Sequence, residues 1–125
     1  MKLFIFLSVV AALTISAADC GEKNKNNTAY KGRLEIKALC FNYTIRLLEG
    51  NIDTAQIAAS WTDETTSKAY SNVFRLGNPC DFPDSLQQGD EFYFTIDSSA
   101  TKPCTVCMAY YPTPPKAVAI KVIKK

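Results

Sequence analysis

Cys104 and Cys107 stand three positions apart, between Lys102 and Tyr111. That spacing serves thiol oxidoreductases and supplies half of a four-cysteine zinc site. A redox pair needs its reactive sulfur at a helix N-terminus, where free N–H groups and the dipole favour the thiolate. Here Met108, Ala109, Tyr110 and Tyr111 follow with no helical period, and Pro112 ends the run. A zinc site would have to add Cys40 and Cys80, yet a second C-x-x-C is missing.

The chain contains no histidine. That single count removes Ser-His-Asp and Cys-His nucleophile pairs, histidine-containing zinc sites and the commonest general base. The carboxylates Asp81, Asp84, Asp90 and Glu91 lack the ligand period of a calcium loop and read as a solvated face. Trp61, Tyr93, Tyr110 and Tyr111 read as packing residues before they read as a ligand site. The expectation is therefore no enzyme, no cofactor and no metal.

What remains for the cysteines is disulfide chemistry, and the first residues set the compartment for it. Lys2, an apolar run from Leu3 to Ile15 and the small residues Ser16, Ala17 and Ala18 form a secretory leader over residues 1–18. The apolar run is too short to span a membrane, and no later stretch approaches that length. The protein is expected to be secreted and extracellular, where disulfides persist. Losing Lys2 with the leader takes the formal charge from +2 to near +1. Such a balance predicts neither nucleic-acid binding nor attachment to anionic membranes.

There are 5 cysteines, so one is left over. If Cys104 and Cys107 lie in a strand, they point to opposite faces roughly 10 Å apart and cannot bond each other. Each then pairs with Cys40 or Cys80, the connectivity staying open. Cys20 is the unpaired one, on a polar arm over residues 19–29, and offers a disulfide-linked homodimer. N-glycosylation sequons begin at Asn26, on that arm, and at Asn42, in a turn.

The domain over residues 30–125 reads as alternating strands. Leu34, Ile36, Ala38 and Cys40 share one face of the first, and Tyr43, Ile45 and Leu47 one face of the second. Further strands are expected over Ala55 to Trp61, over Ala69 to Leu76 and over Glu91 to Asp97. Lys102 to Tyr111 reads as a core strand, and Val118, Ile120 and Val122 mark the last one. The prediction is an all-β, disulfide-stapled antiparallel sandwich of about seven strands.

Certain residues resemble those of the transthyretin-like (prealbumin-fold) proteins that nematodes secrete. They are Tyr30 to Leu34 opening the first strand, Cys40 at its end, Ile45 to Glu49 closing the second, and Trp61 to Glu64 at the next turn. Ser67 and Lys68 stand where that family carries glycine, and Phe92, Tyr93 and Phe94 where it carries tyrosine, histidine, aspartate and cysteine. The size and cysteine layout are also similar to a smaller set of secreted nematode proteins of the reproductive tract. The resemblance implies a β-sandwich extracellular factor, not an enzyme, and carries over no catalytic residue. By elimination of hydrolytic, redox, metal and nucleic-acid chemistry, the expected function is binding a protein partner. Recognition is expected in the polar loops Thr62 to Lys68 and Asp97 to Pro103. Two alternatives are a protease inhibitor using the rigid loop Tyr111 to Pro115 and a small lipid carrier with a cavity between sheets.

Overall fold

The computed structural model describes residues 29–99 and 104–125. The leader, most of the arm with Cys20 and Asn26, and residues 100–103 of the Asp97 loop lie outside the described residues. Strands β1 (Tyr30–Lys37), β2 (Tyr43–Glu49), β3 (Ala58–Asp63), β4 (Lys68–Leu76), β5 (Glu91–Ile96), β6 (Ala117–Val118) and β7 (Ile120–Lys124) form one hydrogen-bonded sheet. Among the described residues, two 3-10 turns, Leu39–Phe41 and Pro79–Asp81, are the other regular elements.

Strand order is β3-β4-β2-β1-β5-β7, with β6 on β4. Every pairing is antiparallel except β4 with β6, where Arg75 faces Ala117 and Leu76 faces Val118. Because β6 runs through Ala119 directly into β7, that short segment laces β4 to β5. The Gly77 amide donates to the Val118 carbonyl at 2.9 Å, and the Asp97 amide to the Ala119 carbonyl at 3.0 Å. The sheet thus curls until its far parts meet around one interior. Asn78, buried between them, bonds both backbone groups of Ile120, at 2.7 and 2.9 Å.

Alternation explains the wall. In β1, Leu34 and Ile36 turn inward while Arg33, Glu35 and Lys37 stay on the outer side. Phe92 and Phe94 of β5 and Phe74 of β4 are fully buried and meet ring to ring at 5.8–5.9 Å. Gly32 makes room for this: a methyl there would come within 2.9 Å of the Phe94 ring. The expected all-β, disulfide-stapled domain of seven strands is what the structure shows, its opposed layers joined as parts of one sheet.

Three elements differ from expectation. The first strand ends at Lys37, so Ala38 and Cys40 do not extend its inward face: the chain turns over Leu39–Phe41, with Cys40 in left-handed backbone. Lys102 to Tyr111 is no core strand; its described part, from Cys104, has no strand, helix, turn or sharp bend. The last alternating run is divided at Ala119 instead, which restores the number of strands. The third strand begins at Ala58, because Thr54 to Ile57 turn on hydrogen bonds from Gln56 and Ile57 to the Asp53 carbonyl.

Candidate recognition strap

Chain from Cys104 to Tyr110 crosses the surface as a strap, and every residue in it is exposed. No residue from Cys104 to Pro115 has positive φ. Together with the absence of bends, this makes the strap an extended segment. Among the described residues, no backbone–backbone hydrogen bond outside the strands reaches Cys104 to Pro115. The strap is held by side chains.

Cys104 is bonded to Cys80, in the turn after β4, with Cα atoms 5.7 Å apart. Cys107 is bonded to Cys40, in the turn between β1 and β2, with Cα atoms 5.0 Å apart. The bridges close chain separations of 24 and 67 residues. Chain-entropy reasoning gives the longer about 4 kcal/mol of stabilisation and the shorter roughly 3.5 kcal/mol. The pairing leaves Cys104 and Cys107 on different partners, although the strand geometry that suggested this does not exist there.

Beyond Cys107 the anchors are polar. Asn42 Nδ2 donates to the Leu39 carbonyl at 2.9 Å and to the Ala109 carbonyl at 3.0 Å. Tyr110 Oη donates to Glu64 Oε1 at 3.3 Å, and Tyr111 Oη to Asp63 Oδ2 at 2.6 Å. The strap therefore ends against the tip of the β3–β4 hairpin, within the expected recognition loop Thr62 to Lys68. Both hydrogens of the Asn42 amide are engaged, so a glycan on this sequon would displace one of these two ties.

Asp63 is the buried charge of this contact, 1% exposed. Burial pushes its carboxyl up, but hydrogen bonds from Tyr111 and from the Thr65 and Thr66 backbones outweigh it and hold the group below its ordinary range. The same bond to Asp63 raises the Tyr111 phenol.

The turn that receives Cys107 is strained. Cys40 and Phe41 have φ of 57° and 60°, both left-handed, and neither is glycine. Aromatic packing stabilises it: Phe41 meets Tyr43 edge-on, Tyr43 meets Phe82, and Phe82 meets Phe92 in the core. An open groove of about 480 Å³ lies between turn and strap, lined in part by Leu39, Phe41, Tyr43 and Thr105.

The groups the strap displays are apolar. Met108 is 97% exposed, Tyr110 77%, Leu39 56% and Val106 43%. Val106, Met108 and Tyr110 recur at every second residue. By contrast Pro112 and Pro114, within the loop expected to be rigid and exposed, are buried. They anchor the strap's end beside Tyr111, and the displayed stretch lies just before them. The sequence does not mark Met108 as a contact residue, because an alternating apolar residue looks the same whether it faces in or out.

The remaining candidates stay apart. Tyr93 lies on the β5 outer face beside Lys31, and Trp61 stacks on Tyr70 along the hairpin. Among the described residues, no group of three or more cysteine, aspartate or glutamate side chains gathers in a way that could hold a metal. No described helix is long and apolar enough to cross a membrane. Compared with known proteins, the chain matches no family profile, no curated protein and no solved structure.

Proposed function

We propose that the protein is a secreted, non-enzymatic extracellular factor that acts by binding a protein partner, and that the strap from Cys104 to Tyr110 is its contact surface. One observation carries this reading. Three apolar side chains project from a segment that two disulfides and Asn42 hold in place. Exposed apolar groups clustered on a rigid support mark association sites, because their burial is favourable and little order remains to be imposed. Methionine and tyrosine suit the role, one adaptable and polarizable, the other a rigid anchor with a polar tip.

Two further lines support it. The chain has no histidine, which counts against most hydrolytic chemistry. The transthyretin-like resemblance points to a secreted β-sandwich factor, and the size and cysteine layout resemble secreted nematode proteins of the reproductive tract. A lipid carrier draws less support, because Phe74, Phe92 and Phe94 fill the interior where a ligand would sit.

The test is affinity capture from the extracellular fluid in which the protein accumulates. Wild-type protein is compared with a Met108→Asp, Tyr110→Asp variant. Saturable capture of one partner that the variant loses is the expected result. Equal capture by both forms would remove the strap from the reading.

A further inference from the structure

We infer that the partner is a proteinase with an apolar primary pocket, that the strap enters its cleft as a substrate does, and that Met108 fills the pocket. The inference rests on the strap being the contact surface and adds the identity of the cleft.

Substrate clefts take a peptide in extended form, pair with its backbone and accept alternate side chains in pockets. The strap offers each of these. Cys104 to Tyr110 spans roughly 20 Å when extended. Its backbone groups make no loop hydrogen bonds among the described residues except at Ala109, so donors and acceptors remain for a partner strand. Val106, Met108 and Tyr110 project at the two-residue interval a cleft reads, and Met108 extends farthest into solvent. An unbranched apolar side chain fits an apolar slot and is rejected by a pocket built around a carboxylate.

The clamps explain why such a segment would inhibit instead of being consumed. On one side of the Met108–Ala109 peptide bond, Cys107 is tied covalently to Cys40. On the other, the Ala109 carbonyl accepts from Asn42, and Tyr110 and Tyr111 are held by Glu64 and Asp63. Hydrolysis would add one water across that bond, leaving a carboxylate on Met108 and an amine on Ala109. Both new ends stay fixed to the same domain, so the amine remains at high effective concentration beside the acyl group. Re-forming the bond expels the water, and the intact strap is restored in the cleft.

The experiment titrates chymotrypsin, pancreatic elastase, subtilisin and trypsin with the secreted protein and three variants. Wild type is expected to silence at least one of the first three at equimolar ratio and to spare trypsin. Met108→Glu should weaken that inhibition roughly a hundredfold. Met108→Lys should transfer inhibition to trypsin. Replacing Cys40 and Cys107 together by serine should turn the strap into a substrate cut after Met108. Met108 is almost wholly exposed, so its variants fold as the wild type does. Failure of the wild type against all four enzymes overturns the inference, as does inhibition that Met108→Glu leaves intact. Rapid complete cleavage of wild type after Met108 overturns it too. If the proteinases fail while the Met108→Asp, Tyr110→Asp variant still loses capture from extracellular fluid, the cleft is wrong and the strap remains a contact surface. If capture fails as well, both readings fall.

Discussion

The β1–β5 wall and the 104–110 strap carry the same sequence pattern, apolar residues at every second position, and use it in opposite senses. In the wall, Phe92 and Phe94 are fully buried and the backbone is paired on both sides, to β1 and to β7. In the strap, Val106, Met108 and Tyr110 face solvent, and cross-links replace the ladder. The wall is stable because burial and backbone pairing act together. The strap is ordered by a few specific ties, which leaves its apolar side chains available to another molecule. Alternation reveals that a segment is extended; its sign comes from what lies on either side.

The sharpest way to break this comparison is to truncate one apolar residue from each region. Phe94→Ala should cost about 3–5 kcal/mol, since it empties space at the centre of the aromatic cluster. Met108→Ala should change stability by less than about 0.5 kcal/mol, as for an exposed side chain with no special contact. Urea unfolding of both variants measures the contrast. A loss above roughly 1 kcal/mol for Met108→Ala would mean that the strap packs inward and displays nothing.

A smaller effect separates the strap's polar ties from the wall. The Asp63 carboxyl is held below its ordinary value of 3.8, so the charged form is the one that favours the folded state. Its contribution is present above that ordinary value and is lost as pH falls through the lower folded value. Tyr111→Phe removes one of the bonds responsible, at 2.6 Å. The variant should be less stable at neutral pH, and the gap to wild type should narrow as Asp63 protonates. Thermal unfolding from pH 7 to pH 2 follows the gap. A gap that stayed constant with pH would show that Tyr111 acts by packing, with no electrostatic link to Asp63.

Much of the wall was legible in the sequence. Leu34, Ile36, Ile45, Leu47, Phe92 and Phe94 alternate without interruption and are buried as that pattern requires. The fold class followed from similarly local rules, whereas the absence of a Cys104–Cys107 bridge was expected from a strand that does not form there. The closure of the sheet did not, because the parallel pairing of Leu76 with Val118 joins residues far apart in sequence and leaves no periodic trace. The strap was misread for a related reason. Cys104 and Cys107 lie on alternating-looking chain, and only their long-range partners, Cys80 and Cys40, draw that chain across the outside. Asn42 is legible in the sequence as a sequon, whereas its tie to Ala109 depends on where the strap passes.

The second sequon supplies the finest test, since Asn42 ties the strap and Thr44 belongs to the wall. Thr44 is fully buried in β2, and its hydroxyl has no hydrogen-bond partner among the described residues. A buried hydroxyl left unpaired forfeits its bonds to water, whereas valine has nearly the same shape and needs none. Thr44→Val should therefore stabilise the domain by about 1 kcal/mol. It also deletes the sequon while leaving the Asn42 side chain in place. With the Asn42 amide donating to both Leu39 and Ala109, the secreted variant should migrate as wild type does on a gel. A faster band for the variant would mean that wild-type Asn42 carries a glycan and that its amide keeps at most one of these two bonds. Where the lost bond is the one to Ala109, the strap is fixed by its disulfides and tyrosines alone, and its difference from the wall is one of mobility as well as of facing.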